Sequence, residues 1–196
     1  MKDLTSIPTL EIPQHTAAGG GFLKALRTYA TVQGAQKEAV SLTVLHIGRE
    51  QSWILQGADQ QPSLVISLEL GLQRLAREHF RQDPPSPAEL ETAIMVVEDE
   101  VMPVAKKLVA GSSLFISDTG MADIASAATG SGEAAGTLDL EAVERAFNRL
   151  VDLSLGRPRS QDKLPTDGPF AARLLILREF MHHLRFDQIT IQSIAN

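Results

Sequence analysis

Residues 86–110, SPAELETAIMVVEDEVMPVAKKLVA, leave this chain few ways to fold. Ser86 supplies an N-cap oxygen, Pro87 fits the first helical position, and Glu89 completes a capping box three residues on. At about 100° per residue, Leu90, Ile94, Val97, Val101, Ala105 and Leu108 fall on one line. Met95, Val96, Met102 and Val104 widen that line on both sides. A helix with so narrow a polar strip needs cover on two faces. The spacing therefore predicts a central helix over 87–110, kinked at Pro103, where the donor to the Asp99 carbonyl is missing.

The other elements are read around it. Val40–Ile47 is β-branched and apolar, residues 48–51 turn, and Ser52–Gln56 returns, which predicts an early β-hairpin with its first strand covered on both faces. Residues 22–33 fit either state, and Thr28, Tyr29, Thr31 and Val32 tilt the reading to a strand over 27–32. A helix is expected from Pro62 or Ser63 to Arg81, with Leu64, Leu68, Leu72, Leu75 and Phe80 on its apolar side and Gly71 interrupting it. Strands are expected near 112–117 and 187–192, the latter closing an edge. Helices are expected over 139–155 and 169–185. An early hairpin without βαβ alternation points to α+β: about four helices on one face of a small, mainly antiparallel sheet.

With 196 residues and 43% hydrophobic content, the chain suits one domain, 1–196. An irregular arm (1–21) ends in three glycines. Residues 118–137, small, glycine-rich and without periodicity, predict a flexible loop. The net charge of −6 argues against nucleic acid as the partner, because no basic patch stands out to release counterions. There is no cysteine, which excludes disulfides, thiolate nucleophiles and Cys-held zinc. No apolar signal core or membrane-length run is present, so a soluble, cytoplasmic protein that does not enter a membrane is expected.

Asp118-Thr119-Gly120 repeats the triplet of aspartic proteases, but that chemistry needs two such carboxylates and an almost all-β scaffold. Gly130–Gly136 has one residue too many for a dinucleotide loop, and Glu133 would repel phosphate, so no cofactor site is expected. Four side chains remain as catalytic candidates: Asp118 at a strand end, His46 in the hairpin, and His182 and Glu98 on helices. A metal site joining His46, His182 and either Asp118 or Glu98 would require tertiary contact, and no ligand spacing demands one. Glu91 and Glu98 border one helix face, where Arg178 or Arg185 is expected to pair with them.

The composition and the lack of a catalytic signature favour a non-enzymatic binding, regulatory or assembly module, with a small-molecule ligand or protein partner. The alternative is a small-molecule hydrolase or transferase with its site between the sheet edge and the 118–137 loop. The apolar surplus of the central helix, with Met95 and Met102 on its spare side, predicts a homodimer.

Overall fold

The computed structural model describes residues 19–36, 40–130 and 136–192. Among them stand six strands: β1 (Leu42–Ile47), β2 (Ser52–Gly57), β3 (Leu64–Leu68), β4 (Ser113–Ile116), β5 (Gly136–Asp139) and β6 (Gln188–Ile191). The six α-helices are α1 (Gly19–Ala35), α2 (Leu72–His79), α3 (Pro87–Val101), α4 (Met121–Thr129), α5 (Leu140–Ser154) and α6 (Gly168–Leu184). The strands form one sheet in the order β3-β2-β1-β4-β6-β5. β1–β2, β2–β3 and β5–β6 pair antiparallel, while β1–β4 and β4–β6 run parallel. The α+β class holds, but a small, mainly antiparallel sheet does not. Helical crossovers before β4 and before β6 return the chain in the direction of β1, which makes the centre of the sheet parallel.

Both faces of the sheet are covered. Phe22, Ala25, Tyr29 and Val32 of α1 pack on Leu42, Val44, Trp53 and Leu55, and α2 to α6 share the larger core on the opposite face. The helices are therefore not confined to one face. The strand expected over 27–32 is helical because its apolar residues recur every three to four positions and are buried there. That gain outweighs the β preference of Thr28 and Val32. All six residues of β1 are buried, as a doubly covered strand requires.

Three further expectations change. Leu64–Leu68 is β3, paired with β2, and α2 starts only after Gly71. The leucines at 64, 68 and 72 fit a helix, yet Val65 and Ile66 fit a strand, and the glycine marks the border between the two. α3 has the expected capping box but ends at Val101, and residues 102–106 tighten into a 3₁₀ turn around Pro103. Met95 and Met102 are exposed. The organising helix is instead α6, apolar all round from Phe170 to Leu177 except for Arg173. It packs against α2, α3, α4 and α5.

The glycine-rich stretch holds a helix where a flexible loop was expected. Met121, Ile124, Ala125 and Ala127 of α4 are buried, and Gly130 closes it in the left-handed conformation at φ 71°. Alanine is the best helix former, and small side chains let α4 approach α5 and α6 closely. Residues 131–135, most of the glycine run weighed as a nucleotide loop, lie outside the described residues, as do residues 1–18 of the N-terminal arm. β6 lies between β4 and β5, so it does not close an edge. Among the described residues no helix is long and apolar enough to cross a membrane.

α5 is tied to the segment before α6 by Arg149, whose Nε donates to Asp162 Oδ2 at 2.9 Å while its Nη2 donates to Oδ1. Leu164 N–H also donates to Asp162, at 2.9 Å. The Arg149 hydrogen bond, aided by that backbone donor, holds the Asp162 carboxyl below its usual range. Because the folded value is depressed, this stabilisation is present above the unfolded value of about 3.9 and is lost as pH falls through the folded value. Urea melts of wild type and Asp162→Asn should differ by a constant amount from neutral pH to about pH 5, and converge below about pH 4. A second expectation concerns Val101, which is fully buried. Val101→Asp places an unpaired carboxylate in the core and should cost about 3 kcal/mol or more, read from the same melts.

Candidate functional site

The parallel pairing of β1 with β4 sets the carboxyl ends of two strands side by side, the place where open α/β sheets hold ligands. Ile47 ends β1, Ile116 ends β4, and Ser117-Asp118 follow directly. Asp118 is almost fully buried. Its Oδ2 accepts from Ile47 N–H at 2.6 Å, and its Oδ1 accepts from His46 Nδ1. Lys24 Nζ of α1 stands 3.4 Å from the same Oδ1. Thr28 and Ser117 hydroxyls, 2.5 Å apart, fasten α1 beside that strand end.

The tautomer follows from the partner. A carboxylate only accepts, so Nδ1 of His46 carries a proton toward it, and in the neutral form of the ring Nε2 offers a lone pair. Two glycines stand beside Nε2: a Cβ at Gly21 would lie 3.3 Å from it, and one at Gly48 3.5 Å. Glycine at these two positions leaves room beside the nitrogen.

His46, Asp118, Lys24, Gly21 and Gly48 line a cavity of about 790 Å³ together with Trp53, Arg49 and Arg173. The hairpin turn is held rigidly, because Leu72 N–H donates to Gly48 O at 3.0 Å and Gln73 N–H to Arg49 O at 2.9 Å. The turn thus supplies the cap that Gly71 lacks at the start of α2. The acidic groups lining the cavity are already engaged. Glu69 takes Arg74 at 2.6 Å, and Glu50 takes both Arg77 nitrogens at 3.1 Å. Those Arg77 hydrogen bonds hold the Glu50 carboxyl below its usual range.

Arg173 differs from these cations. Its Nε is buried and has no hydrogen-bond partner among the described residues. Its guanidinium covers Gly120 so closely that a Cβ there would stand 1.9 Å from Nη1. A buried guanidinium nitrogen with an unmet donor is costly unless an anion or water completes it.

Of the four sequence candidates, the fold joins His46 and Asp118 and places the other two elsewhere. His182 is half-exposed on α6, with Nδ1 3.7 Å from Glu144. Glu98 meets His183 at 3.1 Å, while Arg178 pairs with Glu179. The expected pairing of Glu98 with Arg178 or Arg185 is therefore replaced, and the metal site joining His46 to His182 is not assembled. Lys24 and Arg173 escaped the sequence reading, although Arg173 had a signal: it is the one charge in the apolar run PFAARLLIL. A larger cavity of about 1290 Å³ lies at the opposite end of the sheet, lined by Ser113, Asp139, His183 and Gln188 among others. It faces the amino ends of the parallel strands.

A mixed sheet with helices on both faces, and a cavity at the carboxyl ends of β1 and β4, make up the α+β frame to which the comparisons apply. Residues 24–196 match the Ppx/GppA phosphatase family, and the chain belongs to that family. Among solved structures, the PPX-GPPA enzyme of Aquifex aeolicus is similar at 16% identity and TM-score 0.70, covering 87% of this chain and 59% of that one. An exopolyphosphatase from Cytophaga hutchinsonii is similar at 17% identity and TM-score 0.67, with 88% and 60% covered. An exopolyphosphatase-like protein gives 13%, 0.69, 88% and 61%. At such identities the likeness is one of fold. The chain spans about three fifths of the length of these relatives. No curated protein matches it. Membership of a phosphatase family overturns the expectation of a non-enzymatic module and favours the hydrolase alternative. The absence of a linear catalytic motif misled that reading, because the candidate residues converge only in three dimensions.

The tautomer is open to measurement. Nitrogen NMR of the His46 ring, at a pH where it is neutral, should find the proton on Nδ1, and Asp118→Leu should release that preference. A wild-type ring protonated on Nε2 contradicts the assignment.

Proposed function

We propose that this chain is a phosphohydrolase that cleaves a phosphoanhydride, with inorganic polyphosphate as the substrate class. The observation that carries the reading is the His46–Asp118 pair opening on the same cavity as Arg173, whose Nε has no partner among the described residues. The exopolyphosphatase named among the fold relatives supports the substrate class.

The terminal phosphoryl group enters the cavity with its oxygens toward Arg173 and Lys24. Arginine suits this task because its planar fork meets two oxygens at once. Beside Gly21 and Gly48, water approaches His46 Nε2. As the water oxygen bonds to phosphorus, its proton passes to Nε2 and the bridging P–O bond breaks. The shortened phosphate chain departs as an anion and needs no acid. Asp118 keeps the ring oriented and stabilises the imidazolium until the proton returns to solvent. Arg173 and Lys24 act on charge that spreads over the equatorial oxygens in the transition state. Asp118 is fully engaged with His46, Lys24 and the Ile47 amide, which suits a supporting role.

Orthophosphate release from short polyphosphate is the direct test. His46→Ala should lower kcat by about 10²–10⁴-fold, the usual contribution of a general base. Arg173→Ala should weaken binding of orthovanadate and raise KM. A His46→Ala protein that turns over at the wild-type rate overturns the mechanism. Wild type that neither releases phosphate nor binds vanadate overturns the function.

A further inference from the structure

The carboxyl-terminal half of α6 carries a second cluster, distant in kind from the anion cavity and not used by the reaction above. Glu179 and His183 stand four residues apart, which a helix sets on one face, one turn from each other. That face meets α3, from which Glu98 reaches across. His183 Nε2 lies 3.1 Å from Glu98 Oε1 and 3.2 Å from Glu179 Oε2. All three donor atoms lie within 4.8 Å of one another.

Two features make this more than a surface ion pair. Glu179 is 1% exposed, although a carboxylate on a buried helix face is costly without full compensation. Its Oε1 is held by Arg178, whose guanidinium lies 5.1 Å from the centre of the Phe147 ring. That contact fixes the plane of the carboxylate and leaves Oε2 directed into the cluster, the kind of outer support that metal-ligating groups receive. Secondly, a single imidazole nitrogen faces two carboxylate oxygens. One N–H proton shared between two acceptors serves each poorly, whereas a cation can engage all three lone pairs.

The spacing fits that use. With ligand bonds of about 2.0–2.1 Å, adjacent donors of a tetrahedral zinc site stand roughly 3.3–3.4 Å apart. The observed 3.1 and 3.2 Å need to open by only a few tenths of an ångström. His183 also lines the cavity of about 1290 Å³, through which an ion can arrive and a water complete the coordination. Asp139, Glu141 and Glu144 line the same cavity and give it an acidic mouth.

We propose that Glu98, Glu179 and His183 form a binding site for a divalent transition metal of the zinc class, which pins α3 to α6. One imidazole with two carboxylates is a donor set suited to zinc and cobalt.

The test uses the full chain, stripped of metal by a chelator, and titrated with zinc and with cobalt. One ion per chain should bind, cobalt should show the visible absorption of a tetrahedral site, and zinc should raise the melting temperature. His183→Asn should weaken binding by at least about 100-fold and Glu98→Gln by about tenfold or more. His46→Asn should bind like wild type. If His183→Asn fails to fold in chelator, Glu98→Gln, at a half-buried helix position, decides alone. Absence of binding by wild type at micromolar zinc and cobalt overturns the site. So does an ion retained unchanged by Glu98→Gln, or one lost on changing His46. None of these readings depends on phosphate release, so they stand or fall apart from the hydrolase.

Discussion

The pairing of β1 with β4 is the contact on which the rest of the molecule depends. Its register sets Leu45 opposite Ile116, and so brings Asp118 beside the end of β1. There one carboxylate meets the Ile47 amide, the His46 ring and the Lys24 ammonium. A shift of the register by a single residue would turn every side chain of β4 to the other face and leave Asp118 without this company. The chemistry of the site is therefore a property of strand alignment before it is a property of residue type.

The sheet is also what gives α6 its place. Covered by helices over much of its surface, α6 carries a single charge in its first half, Arg173 over Gly120, and gathers its other charged groups near its end, where Glu179 and His183 meet Glu98 of α3. An arginine in the apolar first half of such a helix has nowhere to place its charge except in a cavity. Gly120, without a side chain, leaves the room that the guanidinium takes.

Much of the fold was legible in the residues, and the errors have physical causes. The hairpin, the capped start of α3, α5 after Asp139 and the apolar α6 follow from caps and periodicity, which are local. Leu64–Leu68 and residues 27–32 could not be settled locally, since each carries both periods and the partner face decides. α4 was missed because alanine and serine carry little hydrophobic signal, although Gly120 and Gly130 bracket MADIASAAT as helix stops bracket a helix. His46 and Asp118 were both singled out as residues, but their meeting was not readable, because no spacing in the chain encodes a parallel pairing. Lys24 becomes notable only when the cavity it faces is known, whereas Arg173 stands out as the one charge in PFAARLLIL.

The distance along the chain between His46 and Asp118, 72 residues, has a kinetic side as well. Hairpins close within microseconds because their partners are neighbours, whereas parallel strands wait for the whole crossover between them to be ordered. The β1–β2 hairpin can form early and already display His46, but as an imidazole with no carboxylate to hold its proton in place. The site comes into being only when α2 and α3 have been laid down and β4 has docked. The pair is thus completed late and all at once, with the ring and the carboxylate arriving from opposite ends of a long loop of chain.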